Sequence, residues 1–381
     1  MKKVGIIGGG IVGTCIAFHL SQQKGIDVTL LEKNQIGSGT TAKSAGTMCL
    51  IDDSLPDEYF EQRVNCLTTY KKMHRDTHGE AEFVQSGTLV VSPTEKELER
   101  AKKHVELSLK YGFPAGFIND PKRLRDYLPD LVTEGTVGGA WTAEDGYVNP
   151  TAASLIFVRW ARERGARILT GANVTNIPLK GGRVTGIETS KGDFEFDIVI
   201  DAAGPWAIEI GKMAGLNLPM YHTKAEVFIL KPAKPLGYKF PILKFPTWYA
   251  RPEGDAVFVC KSHMAMAPNN PMEAGVWDPD KLPLSGGTEE YFFDFLTARL
   301  SESLPELLDA RLVNDWLGYR SVTKDKLPIV GESGVPGFLL AIGMSGNGVI
   351  LAPDTARILA NYLAKGEKDP LLEKLRLDRF K

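Results

Sequence analysis

Three glycines near the start of the chain, Gly8, Gly10 and Gly13, have the spacing Gly-x-Gly-x-x-Gly between two apolar runs. The run before them, 4–7, is typical of a buried strand, and residues 11–23 have the pattern of an amphipathic helix. Such a turn lets the backbone approach a pyrophosphate, which the helix N-terminus attracts. Glu32 ends a second apolar run, 26–31, at the distance where an acid reaches a ribose hydroxyl, which argues against an ordinary glycine turn. The pattern predicts a dinucleotide site and leaves NAD and FAD open.

Three later segments could also approach a ligand. The loop 37–48 is rich in glycine and hydroxyl groups, although a flexible surface loop is an equal alternative. The stretch "FDIVIDAAGPWA" predicts a strand that returns to the parallel sheet and ends at Gly204 beside the ligand cleft. Near the C-terminus, "GMSGNGVILAP" predicts a glycine-rich turn that opens a helix. The N-terminus of that helix could face a polarisable ring.

Composition excludes several functional classes. The 381 residues, 43% hydrophobic and 24% charged, suggest two domains or one domain with an insertion, and no apolar run is long enough to span a membrane. A net charge of −2 without blocks of like charge argues against nucleic acid. The four cysteines are scattered, with neither metal-ligand spacing nor a disulfide framework. We therefore expect no metal site, no signal peptide at the glycine-interrupted N-terminus, and a reducing cytoplasm.

Taken together, these motifs resemble the D-amino-acid oxidase family of FAD-dependent oxidoreductases, most closely its glycine oxidase, D-amino-acid dehydrogenase and sarcosine oxidase branch. The resemblance rests on "GIIGGGIVG", "TTAKSAG", "EDGYVNP", "ANVTNI", "DAAGPWA", "WLGYRSVTKDKLPIVG" and "GMSGNGVILAP", in that order along the whole chain. FAD is favoured over NAD, because an NAD dehydrogenase has no reason to return to the nucleotide at the C-terminus.

The resemblance implies an α/β fold with two parts. A FAD-binding Rossmann-like domain of the glutathione-reductase type, with a parallel sheet, would be formed by residues 1–82, 146–215 and 318–381. A second, mostly antiparallel α+β substrate-binding domain would be formed by residues 83–145 and 216–317. Strand-like runs with many prolines between residues 220 and 264, among them 256–264, agree with the antiparallel expectation. The run 194–200 is also predicted as one strand, and 278–283 as a loop.

The same resemblance implies cofactor-binding residues in several segments of the chain. They are Gly8, Gly10, Ile11, Val12 and Gly13 at the pyrophosphate; Glu32 and Lys33 at the adenosine ribose; Thr41, Ser44, Ala45 and Gly46 along the flavin; Val174, Ala203, Gly204 and Trp206 around the dinucleotide; and Gly343, Gly346, Asn347, Gly348, Val349 and Ile350 at the isoalloxazine ring. Relatives that link the flavin covalently carry a cysteine just before the "TKD" segment, where this chain has Gly318-Tyr319-Arg320. We therefore expect non-covalent FAD.

Three residues are catalytic candidates. In this family an arginine after the Trp-x-Gly motif binds the substrate carboxylate, so the resemblance makes Arg320 the first candidate; the alternative is a surface or ion-paired arginine. A guanidinium suits that task because it forms two parallel charge-assisted hydrogen bonds. Tyr249 occupies the place of an active-site tyrosine, or is an aromatic core residue. Lys261 alternates with Val257, Val259 and His263 on one strand face and would place a positive charge over the flavin, or is a solvated edge lysine.

The expected reaction is oxidation of an amino acid or secondary amine to an imine, by hydride transfer to flavin N5, followed by hydrolysis. Activity should rise with pH as the substrate amine loses its proton. Sarcosine is a less favoured substrate, because Ile350 occupies the place of a carboxylate-binding lysine in sarcosine oxidases.

The alternative functions are a 2-hydroxy-acid flavoenzyme with His222 or His263 as base, a flavin-binding subunit of a larger complex, and an NAD-dependent dehydrogenase. Oxygen or another acceptor would reoxidise the flavin, and a homo-oligomer is possible.

Overall fold

The computed structural model describes residues 1–52, 54–262, 274–283 and 285–381. The helices in this part of the chain are α1 (Ile11–Ser21), α2 (Phe60–Asp76), α3 (Glu95–Lys110), α4 (Pro150–Glu163), α5 (Ala207–Met213), α6 (Glu290–Ser303), α7 (Gly348–Lys365) and α8 (Pro370–Leu375). The strands are β1 (Lys2–Ile7), β2 (Ile26–Leu31), β3 (Thr47–Met48), β4 (Val84–Gln85), β5 (Thr88–Ser92), β6 (Ala115–Ile118), β7 (Gly138–Thr142), β8 (Gly146–Tyr147), β9 (Arg167–Leu169), β10 (Val174–Asn176), β11 (Leu179–Lys180), β12 (Arg183–Val184), β13 (Gly186–Thr189), β14 (Gly192–Glu195), β15 (Ile198–Asp201), β16 (Met220–Lys231), β17 (Ile242–Lys244), β18 (Trp248–Glu253), β19 (Ala256–Lys261), β20 (Ala274–Gly275), β21 (Arg311–Thr323), β22 (Ile329–Glu332) and β23 (Phe338–Ile342). Among these helices, none is both long and apolar enough to cross a bilayer.

A six-stranded sheet in the order β22-β23-β15-β1-β2-β9 forms one half of the molecule, and only β22 runs antiparallel to its neighbour. Both faces are buried, since Val4 and Ile6 of β1 pack in one core cluster with α1, α4 and α7, while Ile7 packs in a second cluster with α5. Because parallel strands end at the same edge, β1, β2 and β15 bring Gly8, Glu32 and Ala202 together. The predicted strand–turn–helix–strand unit and its parallel sheet are confirmed.

The second half is built on a nine-stranded sheet in the order β20-β16-β19-β18-β17-β5-β7-β6, with β21 paired along β16. All its pairs are antiparallel except β5 with β17. One face packs on α6, where Phe228 and Val259 belong to the same buried cluster as Phe292. The other face looks toward the six-stranded sheet. The expected parallel sheet with a mostly antiparallel second sheet is therefore confirmed, while the domain boundaries stay a prediction.

The structure corrects one predicted strand. Residues 194–200 form two elements, β14 in a small antiparallel sheet and β15 in the parallel sheet. The chain changes partner between them, because Phe196 N–H bonds to Thr185 and Asp197 N–H to Lys3. An unbroken apolar pattern does not reveal such a change of partner. The predicted run 256–264 ends as a strand at Lys261, and Met264 lies outside the described residues.

Helix α7 contains Pro353, which has no N–H to offer the carbonyl of Val349 one turn earlier. The hydroxyl of Tyr70, from α2, donates to that carbonyl at 3.0 Å. Tyr70 is fully buried. A side chain from a neighbouring helix thus replaces the backbone donor that proline lacks, close to the N-terminus of α7.

Candidate active site

A cavity of about 700 Å³ lies between the carboxyl edge of the six-stranded sheet and the facing side of the nine-stranded sheet. Most predicted site residues line it. They are Gly8, Gly10, Ile11, Val12, Glu32, Lys33, Thr41, Ser44, Ala45, Val174, Ala203, Gly204, Trp206, Tyr249, Arg320, Gly346, Asn347, Gly348, Val349 and Ile350. The predicted residues Gly13, Gly46, Gly343 and Lys261 are not among the lining residues.

The glycine turn brings backbone against backbone. A Cβ on Gly13 would lie 2.0 Å from the carbonyl oxygen of Gly8, so Gly13 lets α1 pack against the turn that follows β1. Gly8 has a φ of +107°, and a Cβ there would lie 2.5 Å from the carbonyl oxygen of Ala202. Gly10 is the N-cap residue of α1 and offers no side-chain oxygen to its first turn. The Ile11 N–H donates to Thr41 Oγ1 at 3.0 Å, while Gly10, Ile11 and Val12 line the cavity. The N-terminus of α1 thus faces the cavity and suits an anion there.

Glu32 is fixed at the end of β2. Its carboxylate accepts hydrogen bonds from the N–H groups of Gly9 at 2.7 Å and Asn34 at 2.6 Å. These donors orient a carboxylate toward the same space that α1 faces. An acid in this place is suited to the hydroxyl groups of a ribose.

A segment of the nine-stranded half covers this end of the cavity. We call residues 276–280 the covering segment; all five line the cavity. Asp280 forms an ion pair with Lys33 and accepts a hydrogen bond from Trp206 Nε1 at 3.0 Å. The ammonium group of Lys33 also lies 4.4 Å from the centre of the Trp206 ring. The covering segment thus contacts residues on both sides of the predicted dinucleotide site.

The N-terminus of α7 faces the cavity from another direction. Asn347, its N-cap residue, makes no side-chain cap bond to the helix, and its Oδ1 accepts from Ser54 Oγ at 2.9 Å. That contact leaves Nδ2 buried and, among the described residues, without an acceptor. Two helix N-termini, a glycine turn and an orphaned amide donor around one cavity fit FAD, whose pyrophosphate and reduced ring both carry negative charge.

Arg320 also lines the cavity, on β21, and is 8% exposed. Its guanidinium donates to the carbonyl oxygens of Lys224 at 3.0 Å and Lys261 at 3.2 Å, and to Cys260 Sγ at 3.3 Å. Each of these partners is neutral. Because a guanidinium has five N–H groups, these bonds leave donors for an acid that enters the cavity. A buried cation with neutral partners favours an anionic ligand.

Tyr249 lies beside this arginine. The register of β18 and β19 pairs Tyr249 with Cys260, and both the Cys260 thiol and the Arg320 guanidinium lie close enough to the Tyr249 hydroxyl to act on its pKa. Burial raises the pKa of the Tyr249 hydroxyl far above its ordinary value. The phenol therefore stays protonated and can donate a hydrogen bond to a ligand.

Lys261 lies on the other face of the same sheet. It follows Cys260 on β19, so the two side chains point to opposite sides, and the Lys261 ammonium lies 4.9 Å from the centre of the Phe295 ring on α6. Its carbonyl, rather than its side chain, contacts Arg320. The structure therefore does not place the Lys261 charge in the cavity.

His222 lines the cavity with both ring nitrogens engaged by backbone groups. Nδ1 accepts from the N–H of Trp277 at 3.2 Å, and Nε2 donates to the carbonyl of Pro205 at 2.9 Å. Burial lowers the pKa of His222 against these contacts, so the ring is neutral. His222 has no free lone pair to act as a base. His263 lies outside the described residues.

The sequence did not predict the contacts that Asp280 and Cys260 make at the cavity. Asp280 was predicted only as part of a loop, and nothing local signals its contact with Lys33. Cys260 had a signal, since the alternation that sets Val257, Val259 and Lys261 on one face sets Phe258 and Cys260 on the other. Which of the two faces meets the cavity depends on the pairing of β19 with β16 and β18.

Known proteins resemble this chain over its full length. Human mitochondrial dimethylglycine dehydrogenase is 26% identical over 98% of this chain, which spans 43% of that protein. Glycine oxidase of Geobacillus kaustophilus (strain HTA426) is 25% identical over 96% of this chain and 93% of its own. The structure of L-proline dehydrogenase from P. horikoshii superimposes with a TM-score of 0.83 at 25% identity, covering 100% of this chain and 97% of that one. This chain thus spans less than half the length of the mitochondrial relative.

A family model described as "FAD dependent oxidoreductase" matches residues 3–362. That match includes β1 from Lys3 onward, all residues that line the cavity, and α7 as far as Tyr362. The chain therefore belongs to the DAO family of FAD-dependent oxidoreductases, whose cofactor is FAD.

Proposed function

We propose that this chain oxidises an amino acid or a secondary amine at the carbon that bears nitrogen. The substrates would be of the glycine, D-amino acid or N-substituted amino acid class, and the imine product would hydrolyse to an oxo acid. The observation that carries the proposal is the buried guanidinium of Arg320, which lines the cavity and whose hydrogen-bond partners among the described residues are neutral. An acid group is the ligand that best balances such a charge.

In this proposal the chain holds, orients and desolvates the reactants. FAD, when bound, supplies the hydride acceptor at N5. Arg320 binds the substrate carboxylate and Tyr249 donates a hydrogen bond beside it, which fixes the direction of the Cα–H bond. No protein base is required when the amine binds in its neutral form, so activity should rise with pH until the substrate amine is deprotonated. FAD is held non-covalently by the two helix N-termini, Glu32 and Asn347.

Oxidation of a 2-hydroxy acid would use the same arginine but needs a base for the hydroxyl proton. His222 is a poor base, because both of its nitrogens are engaged. A flavin-binding subunit without its own activity is the other alternative.

We also propose a cytoplasmic location, consistent with four cysteines that are all free.

The direct test is anaerobic mixing of the FAD-loaded protein with glycine, sarcosine, proline, D- and L-amino acids and matching 2-hydroxy acids. We expect the flavin absorbance to fall with an amino acid or amine. Loss of colour only with a hydroxy acid would assign the alternative reaction, and no loss with any compound would contradict the proposal. Readmission of air then distinguishes oxygen from another electron acceptor.

The Arg320→Lys variant tests the carboxylate contact. Lysine keeps the charge but cannot form two parallel bonds, so kcat/KM should fall roughly 10- to 100-fold, since a hydrogen bond to a charged group contributes about 1.5–3 kcal/mol. Arg251→Lys is the matched control, because Arg251 is equally buried on the same sheet and is not among the lining residues. Equal effects of the two changes on kcat/KM would remove the special role of Arg320.

A further inference from the structure

We infer that Cys260 is a positioning residue, whose thiol holds Arg320 and Tyr249 in the arrangement that binds the substrate carboxylate. The inference rests on the proposed function. The structure brings the three side chains together from different strands, β19, β21 and β18. Of the four cysteines, only Cys260 is among the residues that line the cavity.

The contacts of the thiol are directional. Cys260 Sγ accepts from Arg320 Nη2 at 3.3 Å, and its own S–H donates to the carbonyl of Lys261 at 3.4 Å. Arg320 Nη2 donates to that same carbonyl at 3.2 Å. Guanidinium, thiol and carbonyl thus form a closed triangle, and Tyr249 lies beside it, paired with Cys260 across β18 and β19.

Register explains why this thiol meets both groups. Cys260 pairs with Tyr249 on one side and with Val227 on the other, so these side chains share the face that looks into the cavity. Arg320 approaches from β21, where it pairs with Thr223 of β16. The described pairs of β16 with β19 cover 227–230, and Val227–Cys260 is the pair nearest to Thr223. The guanidinium therefore reaches Cys260 at the end of the paired stretch.

A neutral, polarisable group suits this position. A carboxylate here would neutralise Arg320 and compete with the substrate acid, whereas an apolar side chain would leave one guanidinium N–H without this partner. Burial raises the pKa of Cys260 although Arg320 opposes that shift, so the thiol stays neutral. Serine preserves a hydrogen-bonding group of similar size; alanine does not.

The test measures carboxylate binding to the FAD-loaded protein, with acetate as the probe and acetamide as its uncharged counterpart, by flavin absorbance and calorimetry. Cys260→Ala should weaken acetate binding roughly threefold to tenfold, which is less than the effect of Arg320→Lys because a neutral thiol is a weak hydrogen-bond partner and acts on acetate only through Arg320. Cys260→Ser should bind acetate nearly as the unchanged protein does, and acetamide binding should not change. With an amino acid substrate, Cys260→Ala should raise KM more than it lowers kcat.

Two controls separate this inference from the proposed function. Cys66→Ala alters a cysteine that is buried in α2 and is not a lining residue, so acetate binding should be retained. Arg320→Met should abolish most acetate binding, and adding Cys260→Ala to it should weaken binding no further, because Cys260 acts through Arg320. If Arg320→Met leaves acetate binding unchanged, the proposed function fails and this inference fails with it.

Other outcomes overturn the inference alone. The first is an unchanged acetate affinity in Cys260→Ala while Arg320→Met no longer binds acetate. The second is a loss of acetate affinity in Cys260→Ser as large as in Cys260→Ala, which would indicate packing rather than a polar contact.

A second measurement needs no variant. Methyl methanethiosulfonate transfers a methylthio group to a thiol, forming an S–S bond and releasing methanesulfinate. Acetate, but not acetamide, should slow labelling of Cys260 in mass spectra; an unchanged rate at saturating acetate would also contradict the inference.

Discussion

Asp201 ends β15 with a fully buried carboxyl group at the edge of the sheet that the cavity adjoins. Its Oδ1 accepts from the N–H of Ala203 at 2.9 Å, and its Oδ2 finds no partner among the described residues. Burial raises the pKa of Asp201 to about 7, although the Ala203 bond opposes the shift. In the unfolded chain the pKa would be about 3.9. The folded state therefore binds this proton more tightly than the unfolded state does.

The sign of the pH effect follows from that difference. The stabilising contribution of the Asp201 proton is complete below about pH 4 and is lost as the pH rises to about 7. Asp201→Asn should therefore gain free energy of unfolding relative to the unchanged protein at pH 8 and not at pH 4. The gain is on the order of a few kcal/mol, at about 1.4 kcal/mol per pKa unit.

Urea unfolding of the FAD-loaded proteins at several pH values between 4 and 8 measures this difference. Asp197→Asn is the matched control, since Asp197 is exposed just before the same strand. A difference that stays constant between pH 4 and pH 8 would contradict the assigned role of Asp201.

The sequence predicted the cavity position of those residues that belong to a local motif. Gly8, Glu32 and Asn347 line the cavity because each follows a strand or precedes a helix that the pattern identifies. Lys261 and Cys260 could not be assigned to a face, because a shift of one residue in strand pairing exchanges the two faces. Only the long-range pairing of β19 decides which of them meets the cavity.

Helices α2 and α7 are joined by the hydrogen bond from the Tyr70 hydroxyl to the Val349 carbonyl. Tyr70→Phe removes the donor that serves the Val349 carbonyl, and should lower the free energy of unfolding by about 1–3 kcal/mol. Pro353→Ala supplies a backbone N–H to the same carbonyl, so the loss on changing Tyr70 should be smaller in that background. A double-mutant cycle by chemical denaturation measures the coupling.

The control for this cycle is Tyr362→Phe, whose hydroxyl donates to Glu332 on the surface. We expect that change to alter the free energy of unfolding by no more than about 0.5 kcal/mol. Equal losses for Tyr70→Phe with and without Pro353 would show that the hydroxyl does not replace the missing backbone donor.

Elements were predictable where pattern and boundary signals agreed. The strand 26–31 has the predicted bounds, and α4 begins at Pro150 after Asn149, whose side chain accepts from Thr151 and Ala152 as a helix-start residue should. The segment 194–200 was not predictable as two strands, because its apolar residues serve two different sheets. The periodicity of apolar residues indicates which residues are buried, but it does not indicate which of two cores they pack in.

The two halves of the molecule contact each other at the covering segment. Asp280 joins the covering segment to Lys33 and Trp206 beside the dinucleotide site. We expect Asp280→Asn to increase the rate of FAD dissociation, because the segment loses its ionic contact. The ion pair is partly exposed, so the increase should be at most about fivefold, since such pairs contribute roughly 0–1 kcal/mol.

The recovery of flavin fluorescence after dilution into an FAD-free buffer gives the dissociation rate. Asp255→Asn is the matched control, because Asp255 forms a similarly exposed ion pair with Lys231 and is not a lining residue. An unchanged rate in Asp280→Asn, or the same increase in both variants, would contradict a role for the covering segment in retaining FAD.

The six-stranded sheet is assembled from distant parts of the polypeptide. Lys3 and Asp197, which are hydrogen-bonded where β1 meets β15, are 194 residues apart in sequence. β23 and α7 come later still, so the cavity is incomplete until the ribosome has released residues beyond 350. FAD can therefore contact all sides of the cavity only after α7 has been synthesised. Until then the first βαβ unit exposes an apolar sheet edge, and we expect slow maturation with a need for chaperones during synthesis.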